Sequence, residues 1–322
     1  MLHANIVMME ADAYFMRAAR VLRLIGVSAT ALLLACGPAS AGEPFNCGVM
    51  GPIDQPVSVT TRLAGVPAIL RVPKVINKPP IILWHGFGPP ADERELMAAL
   101  PLDDVPAVKV YLGLPLFGAR SPAGGTGELV RRQTRDFASL IFEPVVMGAA
   151  GELPAVLNAL QSRHCMAAGA KVGLFGFSAG GAAALVALAQ RAANVGAAVT
   201  LNASTGLSAS IAALERATKR PYAWTAHSRL LAKRSDAVLH SSEIAAGSPP
   251  VALLLIHGAD DQTVSPSATV NLYDALHPYY RRELAQSRLR LKVVPGLSHS
   301  WGTAGTDPQL EREVAGWFNR FL

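Results

Sequence analysis

Ser178 stands in the pentapeptide Gly176-Phe177-Ser178-Ala179-Gly180, a G-x-S-x-G pattern. It follows the apolar stretch KVGLF, Lys171 to Phe175, and leads from about Gly181 into the alanine-rich stretch GAAALVALAQRAA. A serine on a sharp strand-to-helix bend projects its hydroxyl beyond the carboxyl end of the strand, where unpaired N–H groups of the helix N-terminus favour negative charge. Such a bend needs glycine on either side of the serine, because larger side chains would strike the neighbouring strand or helix. The chemistry available is nucleophilic attack by Ser178, with the backbone N–H of Ala179 as one donor to the resulting anion. The alternative is a glycine-rich turn in an ordinary α/β protein, and the rest of the chain has to decide between the two.

A serine hydroxyl needs a general base, and a histidine base needs an acid that fixes its tautomer and steadies its positive charge. In a doubly wound sheet such groups gather at the carboxyl ends of strands. His85 and His257 stand at strand ends, but each is followed by glycine and suits loop packing; His164 precedes a strand. His227 and His240 fall in helical patterns, and His277 precedes Pro278 in another. His299 remains, in the loop after LRLKVVPG. The acid belongs on the loop after the apolar strand VALLLI, where His257-Gly258-Ala259-Asp260-Asp261-Gln262-Thr263-Val264 offers two aspartates.

The elements that must position these groups follow from periodicity. VSVTTRLAGVPAILRV, within Pro56 to Val72, alternates as a hairpin with Ala64-Gly65 at its turn. Apolar strands are expected at IILW, Ala107 to Leu112, Lys171 to Phe175, Val195 to Leu201, VALLLI and LRLKVV. Helical patterns between them cover Asp92 to Leu100, Glu128 to Val146 with an interruption at Pro144, Glu152 to Arg163, Pro266 to Leu276 and Gln309 to Phe321. Strands that alternate with helices imply an α/β fold with a mostly parallel central sheet and helices on both faces. Residues 205–248 break the rhythm with two polar helical patterns around Pro221-Tyr222-Ala223-Trp224, as an inserted helical cap would, or a long decorated crossover. Nothing in residues 42–322 resembles a linker between two domains.

These motifs, over about residues 56–322, resemble the α/β-hydrolase family, in which the order is serine, acid, histidine. The pattern H-G-x-x-D-x-x-V is shared with its esterase, dienelactone-hydrolase-like and prolyl-oligopeptidase-like branches. It assigns the acid to Asp261, with Asp260 as the fallback. The resemblance also implies a second oxyanion donor in His85-Gly86-Phe87-Gly88, namely the backbone N–H of Phe87. The implied activity is hydrolysis of a small carboxylic ester through an acyl-enzyme, with Ser178 as nucleophile, His299 as base and Asp261 as its orienting acid. A peptidase or amidase would use the same triad, and a binding protein that keeps the fold without catalysis is a third reading. The serine departs from the cysteine of dienelactone hydrolases, and HGFG departs from the HGGG of the hormone-sensitive-lipase branch, so neither substrate assignment carries over. Trp301, two residues from His299, is the first candidate to wall a substrate pocket, with Tyr222, Trp224, Phe117 and Phe142 behind it. No His, Cys and carboxylate cluster has metal-ligand spacing and no G-x-G-x-x-G follows a strand, so neither metal nor organic cofactor is expected.

The 322 residues are 51% hydrophobic and only 16% charged, a globular composition. Arg17, Arg20 and Arg23 precede an apolar run from Leu24 to Ala35 and then Ala39-Ser40-Ala41, the pattern of a secretory signal peptide cleaved after Ala41. About twelve apolar residues are too few to span a bilayer, which needs about twenty. Leu33-Leu34-Ala35-Cys36 is a lipoprotein-like rival, with Cys36 as the anchor, and Glu10 and Asp12 make Met16 an alternative start. Residues 1–41 carry three arginines and two acids, so cleavage takes the net charge from +6 to +5. No basic run interleaved with aromatics marks nucleic acid as a partner. Cys47 and Cys165 remain after cleavage, an even pair that suggests one disulfide in a secreted or periplasmic protein.

Overall fold

The computed structural model describes residues 45–49, 54–301 and 307–322. The expected signal peptide, its cleavage point at Ala41 and the lipoprotein-like Cys36 lie outside the described residues.

Eight strands form one sheet: β1 (Val57–Leu63), β2 (Val66–Val72), β3 (Ile81–Trp84), β4 (Lys109–Leu112), β5 (Val172–Phe177), β6 (Val195–Leu201), β7 (Ala252–Gly258) and β8 (Leu289–Val294). Their spatial order is β1-β2-β4-β3-β5-β6-β7-β8. Pairing is antiparallel from β1 to β2 and from β2 to β4, and parallel from β4 onward. The β1–β2 hairpin turns where the sequence indicates. Ala64 and Gly65 both take positive φ, 50° and 84°, as a tight hairpin turn matched to strand twist requires.

Helices cover both faces: α1 (Glu93–Ala99), α2 (Gly125–Phe137), a π-helical segment (Ala138–Met147), α3 (Gly148–Ser162), α4 (Ala179–Ala189), α5 (Leu207–Thr218), α6 (Ala226–Ser235), α7 (Ser241–Ile244), α8 (Pro266–Arg282) and α9 (Pro308–Phe321). Several starts carry their own stop for unpaired N–H groups. Asp92 caps α1 by accepting from the N–H of Arg94 and of Glu95, Thr225 and Ser228 form a capping box on α6, and Ser265 and Asp307 cap α8 and α9 ahead of a proline.

Strand alternation splits the core. Ile82 and Trp84 of β3, Leu174 of β5 and Leu253 and Leu255 of β7 pack on one side, with α2, the π segment, α3 and α4. Ile81, Leu83, Phe175, Phe177, Leu254 and Ile256 face the other way onto α1 and α9. This is the fold the sequence implies, a mostly parallel sheet covered on both faces.

One expected helix differs. The run expected over Glu128 to Val146 begins at Gly125, and its break lies at Asp136, which leaves helical geometry at φ −165° and ψ 95°. Pro144 does not end the run. It sits inside the π-helical segment, a form in which the missing i→i−4 donor of proline is accommodated. The stretch 205–248 folds as α5, α6 and α7 between β6 and β7.

Cys47 and Cys165 are joined by a disulfide with Cα atoms 5.0 Å apart, closing 118 residues of sequence. The bond suits an oxidising compartment. A Cys47→Ser/Cys165→Ser variant should lose about 2–4 kcal/mol of unfolding free energy. Denaturant unfolding of the oxidised protein and the variant checks this, and equal midpoints would contradict it.

Candidate active site

The bend at Ser178 is tighter than the sequence alone suggests. Strand β5 runs on through Phe177 and α4 starts at Ala179, so Ser178 is the single residue between them, at φ 51° and ψ −115°. A side chain rarely tolerates that conformation, and here it is held by the Ser178 N–H donating to Leu201 O at 2.9 Å and the Ser178 carbonyl accepting from Ala182 N at 3.1 Å. A Cβ on Gly176 would run into Gly180 O, and one on Gly180 would run into the backbone carbonyls of His85 and Trp84. The glycines of the pentapeptide are therefore there for close backbone approach between β3, β5 and α4.

Ser178, His299 and Asp261 come together from β5, the loop after β8 and the loop after β7. Ser178 Oγ lies 3.0 Å from His299 Nε2, and His299 Nδ1 lies 2.7 Å from Asp261 Oδ2. The tautomer follows from the partners. Nδ1 faces a carboxylate and so carries the proton, which leaves Nε2 free to accept the Ser178 hydroxyl proton. The Asp261 carboxylate is fixed from its other side, where Oδ1 accepts from the N–H groups of Thr263 and Val264, each at 2.8 Å. Burial raises its pKa, but hydrogen bonds from His257, His299 and the Val264 N–H outweigh that and hold it down at about 2. Asp260, the fallback, is exposed and stands outside this network.

Two residues set aside or unnoticed in the sequence hold the site. His257 is fully buried. Its Nε2 lies 3.1 Å from the Val264 carbonyl and 3.1 Å from Asp261 Oδ2, and its Nδ1 lies 2.7 Å from Thr269 Oγ1. It therefore braces the turn that carries the acid as well as packing the loop. Asn202, also fully buried, follows β6 at φ 47°. Its amide N–H groups donate to the carbonyls of Ser298 at 2.8 Å and His299 at 3.0 Å, and its Oδ1 accepts from Gly258 N at 2.8 Å. It ties the histidine loop to the exit of β7. The sequence signal for Asn202 was its place one residue past an apolar strand, where asparagine tolerates a left-handed backbone.

The loop His85-Gly86-Phe87-Gly88 lies against the elbow, close enough that a Cβ on Gly86 would come 3.0 Å from Ser178 Cβ. His85 shapes this loop from below. Its Nδ1 lies 2.7 Å from Gly86 O and its Nε2 accepts from Leu114 N at 3.0 Å. Burial pushes its pKa down to about 4, so it is neutral at pH 7 and carries its proton on Nδ1. Phe87 stacks on Phe117, ring centroids 5.0 Å apart.

A cavity of about 60 Å³ opens over Ser178, bordered by Phe87, Ala179 and His299 and walled by Phe137, Phe142, Val146, Leu214 and Val264. Both residues expected as oxyanion donors thus border it. The aromatic wall is not the expected one. Trp301 is buried behind the site, edge-on to the Phe177 ring at 5.8 Å, because its side chain takes the α9 face of the sheet. Tyr222 and Trp224 pack edge-to-face on each other at 5.3 Å beside a different cavity, and neither borders this one. Of the aromatics considered, Phe142 lines the cavity and Phe117 lies beneath Phe87. Phe137, Val146 and Leu214 were missed because their helical spacing reads as core, which they also are.

No curated protein matches the chain. Among solved structures it is similar to TT1662 from Thermus thermophilus, at 17% identity and TM-score 0.62 over 83% of this chain and 98% of that one. It is similar to dipeptidyl peptidase 4 from Porphyromonas gingivalis, at 15% identity and TM-score 0.54, over 83% of this chain and only 35% of the peptidase. A dienelactone hydrolase from Anabaena variabilis aligns at 20% identity and TM-score 0.51, over 83% of this chain and 99% of that one. At these identities the structures establish the shared α/β-hydrolase fold. The family comes from the sequence: residues 150–322 match the model of the prolyl oligopeptidase family. That span is more than half of the chain and holds the serine elbow, the H-G-x-x-D turn and the histidine loop, so this α/β-hydrolase belongs to the prolyl oligopeptidase family of serine hydrolases.

Proposed function

We propose that the protein hydrolyses small carboxylic esters through an acyl-enzyme formed on Ser178. The observation that carries this reading is the small apolar cavity set over the hydrogen-bonded Ser178–His299–Asp261 array. Ser178 Oγ attacks the carbonyl carbon as its proton passes to His299 Nε2, and the Asp261 carboxylate steadies the imidazolium. The backbone N–H groups of Ala179 and Phe87 receive the negative oxygen. Collapse breaks the ester C–O bond, and His299 gives its proton to the departing alcohol. Water then repeats the sequence on the acyl-enzyme, His299 taking its proton, and releases the acid.

The cavity size sets the scale of the acyl group. About 60 Å³ of space over Ser178 suits a short apolar acyl chain. Across p-nitrophenyl esters of rising length, kcat/KM should be highest on short acyl chains and fall on long ones. A profile that rises steadily to long-chain esters would contradict this. An amide or peptide bond would use the same triad, and the p-nitroanilide of the preferred acyl group separates the two. Faster cleavage of the anilide than of the ester would turn the assignment to an amidase.

We place the protein outside the cytoplasm, exported on residues 1–41, a reading supported by the disulfide and the arginine-led apolar run. The intact mass of protein recovered from the exporting cell should start at Gly42. A mass that retains the leader, or one lipidated at Cys36, would contradict cleavage after Ala41.

A further inference from the structure

Beside the catalytic cavity lies a second and much larger one of about 490 Å³, lined among others by Arg135, Asp136, Thr218, Arg220, Tyr222 and Leu214. Leu214 borders both cavities. The helix break also falls on their boundary, since Asp136 lines the second cavity and Phe137, the next residue, lines the first. The two chambers are thus one side chain apart, on either side of Leu214 and the Asp136–Phe137 kink.

The kink is held by contacts that build the second chamber. Asp136 Oδ1 accepts from the Tyr222 hydroxyl at 2.7 Å and from Ser139 N at 3.2 Å, and its Oδ2 accepts from the Ser139 hydroxyl at 2.7 Å. These bonds outweigh the effect of burial and hold the carboxyl below its ordinary pKa, so it is ionised and already engaged. Arg135 and Arg220 differ. Neither guanidinium has an ion-pair or hydrogen-bond partner among the described residues. Two unengaged guanidiniums against one engaged carboxylate leave the chamber cationic, with the Tyr222 ring, backed by Trp224, as an apolar face.

An ester has two halves, and the cavity over Ser178 holds only one short one. The other half must lie on the surface that adjoins it. Guanidinium presents a planar fork of N–H donors that matches carboxylate and phosphate oxygens. We propose that the second cavity binds the alcohol half of the substrate through an anionic group, carboxylate or phosphate, held by Arg135 and Arg220. The proposal rests on the ester reading for the identity of the two halves.

The probes are 4-acetoxybenzoate, its neutral methyl ester and 4-acetoxyphenyl phosphate, compared on wild type and the Arg135→Gln/Arg220→Gln variant. The variant should lose at least about tenfold in kcat/KM on an anionic probe, through KM, and less than about twofold on the methyl ester. About 0.5 M salt should reproduce the loss in wild type. The anion that loses more identifies the group. Equal losses on all three probes, or none on any, overturn the proposal. Calorimetric binding of 4-acetoxybenzoate to the Ser178→Ala protein reads the same site without turnover. It should weaken at least about tenfold when both arginines are also replaced, and equal affinities overturn the site whatever bond is cleaved. Absent hydrolysis of every probe with that binding contrast intact removes only the ester reading.

Discussion

Replacing Ser178 by alanine should lower kcat on the preferred ester by at least about four orders of magnitude, with KM and thermal midpoint almost unchanged. The size follows from how the site works as a unit. Without Oγ there is no covalent intermediate, and His299 retains only the capacity to activate a water in a cavity shaped for another geometry. The small effect on stability follows from the same geometry. Ser178 Oγ makes its hydrogen bond to His299 Nε2, whereas the strained backbone is held by the bonds to Leu201 O and from Ala182 N, which alanine keeps. Kinetics paired with a melting curve checks both halves. Wild-type activity in the variant would remove Ser178 from the chemistry, and loss of fold would remove the inference.

Asp261→Asn should cost about four orders of magnitude in kcat, with the fold retained near neutral pH. An amide at this place cannot reproduce the carboxylate's pattern. Its Oδ1 is needed by the N–H groups of Thr263 and Val264, which leaves the amide N–H₂ facing His299 Nδ1. That arrangement favours the opposite tautomer, with the imidazole proton on Nε2 and nothing to accept the serine proton. The carboxylate also carries a signature in stability. Its folded pKa of about 2 lies below the ordinary 3.8. A depressed pKa means stability that is fully present above the unfolded value and lost as pH falls from about 4 through about 2. Wild type should therefore lose more unfolding free energy than Asp261→Asn across that window. Parallel pH profiles for the two proteins would contradict the ionised, hydrogen-bonded acid.

The parts of the site legible in the sequence are those whose constraint is local. Gly176 is demanded by backbone approach within one strand, bend and helix, because a Cβ there meets Gly180 O, so the pentapeptide marks the elbow, whereas Gly180 is kept small by the carbonyls of Trp84 and His85 at the end of β3. The turn from His257 to Val264 is similarly self-contained, since Asp261 binds the N–H groups two and three residues onward. What the sequence hides depends on partners far along the chain. The break in α2 falls at Asp136 rather than Pro144, and the Asp136 carboxylate there takes Ser139, three residues on, and also Tyr222, 86 residues away. Residue type also says nothing about which face of the sheet an aromatic takes. Trp301 follows His299 closely yet packs on the α9 side, while Phe137 and Leu214, spaced like core, form the cavity wall. Asn202 shows the same limit, because its three bonds connect strands that meet only in the fold.

The central claim is that Ser178 is an activated nucleophile, and covalent labelling of the folded protein by a fluorophosphonate tests it most directly. Intact mass should show one phosphonyl adduct per chain, and peptide mapping should place it on Ser178, with labelling lost in His299→Ala and on unfolding. An unlabelled folded protein, or an adduct on another residue, would contradict the account.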